Sequence, residues 1–515
     1  MAILRFPTEG EAGSVGAFSI FCIGLLFATT GYLAWKGIYN LYFHPLARFP
    51  GPFWARATPY PNVYHLLRGR IPFWIKACHD QYGPIVRVSP NELSFDNEPA
   101  WKDIYGSRAG HLNFHKDPVH VGSIEAVPGV STITMANDAD HARQRRALSY
   151  AFSTKALLEQ EHIIRTYIDR FSDKMKEFAR TGTSVDVVAW FAYCTFDIIG
   201  DMALGEPFGC MDSDEFRFWV PLISASIKAG AFEQATRRVA QTDGFMQRQL
   251  LKLIPDRIRV TRRQHLEYSR EKILKRMDQT QSDHKDFLYY LTKQLENGTI
   301  RKDEVLVNGA LMIIAGTETT AGFLAGLFNH LLRNRPILDR LTKEIRTSFA
   351  SDKDLKFEEL RKLPYLSAVV DEGLRVFPSA PIGFARTVPV GGDTVDGVFI
   401  PGGTTVSVPM WGATHSKRNF KDPYKFDPDR WLDKNNTTDK FTASNPFSLG
   451  SRGCIGRNLS TMEQLLIIGK LLWHNDVFLD GEQEAWNPDK DYPGLTVYNN
   501  WMKPGLYVKL RPRQD

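Results

Sequence analysis

Residues 447–456 read FSLGSRGCIG and set one sulfur, Cys454, among glycines at 450, 453 and 456. Glycine permits positive φ and lets backbone close on a bound group. The run RNLSTMEQLLIIGKLLW follows at once with a helical pattern, so Cys454 stands just before a helix N-terminus. Unpaired N–H groups there favour a thiolate over a thiol. Arg452, two residues before the sulfur, brings a cation within reach of an anionic cofactor edge. A lone cysteine is more often a small buried hydrophobe. The Gly-Arg-Gly setting makes Cys454 a candidate metal ligand instead.

A second conflict of residue types lies at 315–320, AGTETT, inside an apolar helical pattern over 303–334. About 30 residues at roughly 1.5 Å each cross most of a domain, and apolar residues nearly all round mark that helix as buried. Gly and Thr form helices poorly and a buried Glu is costly, so the conflict points to a functional site. The Thr319 hydroxyl can bond the Ala315 carbonyl four residues back and loosen the helix there. The alternative is a membrane span with a polar kink. A Glu at mid-bilayer costs around 2.5–3.5 kcal/mol, and Thr, Asn308 and Asn329 add to it.

Glu372 and Arg375, in LPYLSAVVDEGLRVFP, are three apart and share a helix face. An isolated pair of this kind is ordinarily solvated and worth a few tenths of a kcal/mol. Here it lies in an apolar run, and Arg430 follows in FDPDRWL. Residues 141–152, HARQRRALSYAF, form a basic helical stretch with an apolar side, on which His141 and Arg145 share one face. A solvated basic face is the alternative for the charges at 143–146, with Arg143 and Arg146 facing elsewhere.

Taken in order, these elements resemble the cytochrome P-450 family. Phe447, Gly450, Arg452, Cys454 and Gly456 match its F-x-x-G-x-R-x-C-x-G run without a gap. Residues 315–319 are similar to its A/G-G-x-D/E-T pattern, Glu372 and Arg375 to its E-x-x-R, and Pro423, Phe426, Pro428, Arg430 and Trp431 to its P-x-x-F-x-P-x-R-W element. The resemblance implies haem b, with Cys454 as the axial ligand of the iron. It implies that Glu318 and Thr319 form an acid–alcohol pair that relays protons. Ala315 and Gly316 then leave room for dioxygen, and Glu372, Arg375 and Arg430 form a buried ion network that holds the haem loop. Arg452, Arg386, Arg145 and His141 become partners of the haem carboxylates, with Phe447 and Gly456 in the cofactor pocket. His141 departs from the family's usual Trp, which changes the donor's shape and charge. The His form, with the FHPL…FPGP lead, resembles fungal enzymes of specialised metabolism.

The implied fold is mainly α with small β-sheets (α+β), a single large domain behind an N-terminal transmembrane helix. The implied reaction inserts one atom of dioxygen into a lipophilic small molecule and reduces the other to water. NADPH supplies the electrons through a separate reductase, with cytochrome b5 as a further donor. The glycines at 391–392 and 402–403 lack GxGxxG spacing, so the chain carries no dinucleotide fingerprint of its own. Two rival readings keep the haem: a haem-thiolate isomerase or dehydratase that uses no dioxygen, and a non-catalytic membrane haem carrier. A third, an unrelated helical membrane protein, leaves the cysteine loop without a purpose.

The remainder of the chain must position these groups. Its 515 residues are 43% apolar and 24% charged, with net charge +6, too mild for a nucleic-acid partner and compatible with an anionic membrane surface. Five scattered cysteines argue against a disulfide framework and structural zinc, and for a reducing compartment. Residues 16–36 contain about 20 uncharged residues, enough to span roughly 30 Å of hydrocarbon. Lys36, Arg48 and Arg56 follow that stretch against Arg5 before it. The expected arrangement is a lumenal segment at 1–15, an anchor at 16–36, a stiff extended Pro-rich lead at 37–56 and a cytoplasmic catalytic domain at 57–515, on the endoplasmic reticulum membrane. Helices are expected at 72–82, through most of 140–295, at 355–377 and at 457–474. A strand pair is expected in IVRVSPNELSF, short strands over 383–410, and a hairpin between GLTVYNN and GLYVKLRP.

Overall fold

The computed structural model describes residues 9–120, 127, 129–242, 244–278, 285–435 and 437–514. The structure is mainly helical, with four small sheets among the described residues. The expected helices form at Ile71–Tyr82, Lys302–Arg333, Pro364–Val376 and Arg457–His474. The first ends at Gly83, whose φ of 103° a side chain would resist. Ile85–Ser89 and Glu92–Phe95 pair antiparallel as expected.

Helix Lys302–Arg333 runs through the core and stays continuous across the AGTETT segment. It packs on the apolar helix Val187–Leu204. Both are long and apolar enough to cross a membrane, and both are largely covered by protein. Asn308 is fully buried with its amide satisfied: its Oδ1 accepts from the Ile133 N–H at 2.8 Å, and its Nδ2 donates to Gln144 Oε1 at 3.0 Å and the Glu304 carbonyl at 2.8 Å. That resolves the polar cost that argued against a second span, because the partners lie within the folded body. In contrast, the window at Ser19–Phe43 has no buried share.

Two expectations give way. The lead is not extended: it contains a π-helical turn at Tyr39–Phe43 and a short helix at Phe53–Ala57, with Leu46 and Phe49 buried. The Pro50 carbonyl accepts from the Arg87 N–H at 2.7 Å. An added Cβ on Gly51 would lie 2.3 Å from the Arg87 carbonyl oxygen, so the close approach requires glycine. Pro-rich spacing fixed φ but could not show that the body would fold the segment onto itself. The tail also divides differently. Thr496–Tyr498 turns back on Asn500–Met502, whereas Tyr507–Pro512 joins Asn475–Leu479 and Val185–Asp186 in another sheet.

The largest sheet has the spatial order Ile85–Ser89, Glu92–Phe95, Thr405–Ser407, Arg386–Thr387, His115–Lys116. Its last two strands place Lys116 directly opposite Arg386.

Candidate active site

The cysteine loop closes on itself before the helix Arg457–His474 begins. The Cys454 N–H donates to the Phe447 carbonyl at 2.8 Å, and the Gly453 N–H to the Gly450 carbonyl at 3.0 Å. Gly450 has φ 69°, and a Cβ there would lie 2.1 Å from the Tyr105 carbonyl oxygen, so the loop presses against the body where only glycine fits. Cys454 is crowded by protein yet its side chain stays accessible rather than packed into the core. Burial raises its pKa; the Gly456 N–H and the cations of Arg145 and Arg457 pull the other way without prevailing. The helix-terminus effect expected from the sequence is therefore present but insufficient alone. A coordinated metal deprotonates such a thiol outright.

Across from this loop, the central helix turns an unusual face inward. Ala315 is exposed in the middle of an otherwise buried stretch, and Thr319, one turn on, is half-buried. Thr319 Oγ1 donates to the Ala315 carbonyl at 2.8 Å, the bond its spacing allows. Ser379 Oγ donates to the Thr319 carbonyl at 2.8 Å. A Cβ on Gly316 would lie 2.7 Å from Ile199, so that glycine lets two core helices meet. Thr320 and Ser460 hydroxyls lie 3.0 Å apart, which ties the central helix to the helix that Cys454 precedes. Glu318 is buried and ion-paired with Lys503.

Glu372 and Arg375 are both fully buried and joined by two bonds of 2.8 Å. Glu372 also accepts from Arg430 Nε at 3.1 Å, from the Trp431 indole N–H at 2.9 Å and from the Asp427 N–H at 2.8 Å. Arg375 spends its other donors on the carbonyls of Thr414, Pro423 and Lys425. Burial pushes the Glu372 carboxyl up, but Arg375 and Arg430 outweigh it and hold the pKa below its ordinary value. Every member has partners, which is the condition for a buried ion network to persist.

Cations collect near the cysteine loop. Arg145 Nη1 donates to the Gly453 carbonyl at 2.6 Å. Arg452 Nη2 donates to the Ala136 carbonyl at 2.7 Å and to Asp138 at 2.8 Å. Arg386 is buried beside Tyr105, and its Nη1 finds no partner among the described residues. Burial, then Arg452, Arg145 and Lys116, lower His141 to about 4, so it is neutral at pH 7. Arg143 turns away, to Glu304 and Asp140.

Comparison with known proteins decides the family. A family model described as cytochrome P-450 matches residues 55–500. The chain belongs to the cytochrome P-450 family. A cytochrome P-450 monooxygenase aba2 of Botryotinia fuckeliana is 41% identical over 483 residues, covering 92% of each chain. A cytochrome P-450 monooxygenase ABA2 of Pyricularia oryzae is 40% identical over 519 residues, 99% of this chain and 98% of that one. A cytochrome P-450 monooxygenase astJ of Aspergillus oryzae is 39% identical over 486 residues, 93% and 94% of the two chains. The chain is a haem-dependent monooxygenase, and the isomerase and carrier readings find no support among these relatives.

The residues present fit the haem of a P-450. Haem offers one metal that a thiolate suits and two carboxylates that need donors. Cys454 presents an accessible side chain, and Arg386 holds a buried N–H without a partner among the described residues. Like charges directly opposite on neighbouring strands are destabilising unless an anion lies between them, and Lys116 and Arg386 are so placed. Burial, then Arg386 and Arg452, draw the Lys116 ammonium down to about 7.

Sequence reading missed Lys116, because nothing local marks it before the strand pairing is known. It also missed Glu463, a fully surrounded carboxyl raised by burial to about 8, with one oxygen unpartnered. A lone Glu in LSTMEQLLIIG is the same conflict that drew attention to Glu318.

Proposed function

We propose that this P-450 oxidises a lipophilic small molecule of fungal specialised metabolism, a terpenoid, polyketide or alkaloid intermediate. NADPH supplies the electrons through a separate reductase, with cytochrome b5 as a further donor. The observation that carries the proposal is Cys454 itself: its backbone is locked in a glycine loop while its side chain stays accessible at the start of a helix tied to the central helix through Ser460 and Thr320.

When bound, haem supplies the binding and reductive cleavage of dioxygen, one atom going to substrate and the other to water. Cys454 Sγ would hold its iron. Arg386, Arg452 and Arg145, with Lys116 beside them, would receive its carboxylates, and His141 would add a hydrogen-bonding group to that set. Phe447 and Gly456 shape the loop around the sulfur, and the network of Glu372, Arg375 and Arg430 keeps the preceding segment in place. Ala315 keeps this part of the central helix free of bulk, whereas Gly316, expected to share that role, is instead turned to Ile199 of the neighbouring helix. Glu318 takes protons from outside and passes them to Thr319 Oγ1, which rotates from the Ala315 carbonyl to deliver them.

The candidate membrane helix places the body at the bilayer surface, where such substrates partition. The reading is of a lumenal segment at 1–15, an anchor at 16–36 and a cytoplasmic domain on the endoplasmic reticulum. The test is turnover of candidate substrates by membranes containing the full chain, reductase and NADPH under 18O2. One labelled oxygen per product supports the proposal; conversion without NADPH and dioxygen contradicts it.

A further inference from the structure

Glu318 does not stand alone in the helix. Lys503 Nζ donates to Glu318 Oε1 and, at 2.9 Å, to the Trp501 carbonyl. The two side chains are 5% and 7% exposed, so this is a buried pair between elements 185 residues apart in sequence. Gly322, one turn beyond Glu318 on the same helix face, makes room for it. A Cβ there would lie 3.3 Å from Lys503 Nζ and 3.8 Å from its Cε.

The segment that carries Lys503 is itself fixed. Trp501 is buried, donates its indole N–H to the Pro378 carbonyl at 2.8 Å and stacks on Phe377 at 4.6 Å between ring centroids. At the hairpin tip, Asn499 Oδ1 accepts from Gln234 of the helix Trp219–Val239 at 2.8 Å. Lys503 therefore leaves a rigid strand end with little freedom to follow Glu318 if it moves.

A free Glu318 could adopt rotamers turned away from Thr319. We propose that Lys503 is the positioning residue for Glu318: its buried bond holds the carboxylate on the Gly322 face, from which Glu318 passes protons to Thr319. This rests on the reading of Glu318 as proton relay.

The test compares Lys503→Met, Lys503→Arg, Glu318→Gln and the Lys503→Met/Glu318→Gln double variant in the full-chain holoenzyme. Each is first checked for an intact reduced-CO spectrum; Lys503→Gln replaces Lys503→Met if the latter does not retain haem. The readouts are product formed per NADPH consumed, hydrogen peroxide released, and substrate KM. Lys503→Met should lower product per NADPH by on the order of ten-fold, with the lost electrons recovered as peroxide and KM unchanged. Lys503→Arg should restore most of the coupling. In the Glu318→Gln background, Lys503→Met should add nothing. Unchanged coupling in Lys503→Met overturns the proposal, as does an equal loss in both backgrounds or a rise in KM with coupling intact. Unchanged coupling in Glu318→Gln alone removes the relay reading itself, and the proposal with it.

Discussion

Arg145 donates to the Gly453 carbonyl at 2.6 Å, so the basic helix Asp138–Ser149 is tied to the cysteine loop one residue before the sulfur. The same guanidinium is one of the cations that draw the Cys454 thiol down against burial. Arg145→Met removes both effects. A hydrogen bond from a charged donor is worth about 2 kcal/mol, so the variant should unfold at lower temperature and retain less haem. The checks are a melting curve and haem content per protein; a wild-type result in both would remove Arg145 from the site.

The Glu372 network gives a sharper loss. Glu372→Gln leaves the fully buried Arg375 guanidinium without its anion and Arg430 with Asp439 alone. Breaking a buried pair in this way costs about 3–5 kcal/mol. The expected result is protein that expresses poorly and does not hold haem. Arg375→Lys should fail as well, because one ammonium cannot replace donors that reach Glu372 and three carbonyls. Haem retention in Arg375→Lys at the wild-type level would contradict this.

Thr319→Ala should keep haem and substrate binding, because among the described residues its hydroxyl bonds only to its own helix. Coupling of NADPH consumption to product should fall, with peroxide rising, and Thr319→Ser should recover it. Equal coupling in Thr319→Ala and wild type would exclude the hydroxyl from the relay.

Much of this site was legible in order along the chain, because its groups come in short, dense runs. Cys454 and its glycines are contiguous, and Glu372 and Arg375 share one helical turn. Groups that depend on distant pairing were not legible. Lys116 acquires meaning only when its strand places it opposite Arg386, and Lys503 only when the C-terminal hairpin brings it to Glu318. The lead at 37–56 was misjudged for a related reason. Its prolines restrict backbone angles, but the burial of Leu46 and Phe49 is a property of the body they fold against. The tail strand Tyr507–Pro512 likewise finds partners at Asn475–Leu479 and Val185–Asp186 that no local signal names.

Glu463 makes stability depend on pH. Burial raises its carboxyl from the ordinary 4.5 to about 8, against a bond from Thr320. Between those values the unfolded chain has lost the proton that the folded one keeps. Stability from this group is thus fully present below about 4.5 and declines as pH rises towards about 8. Glu463→Gln should flatten that decline, so its melting temperature relative to wild type rises from pH 5 to pH 8. A difference that stays constant across that range would show that Glu463 is ionised throughout.

The most direct measurement is the reduced-CO difference spectrum of purified full-length protein and of Cys454→Ala. The wild type should show the red-shifted Soret band characteristic of thiolate-ligated haem, and Cys454→Ala should lack it. A band that survives the substitution, or a folded wild-type protein that binds no haem, would contradict the assignment of Cys454 as the axial ligand.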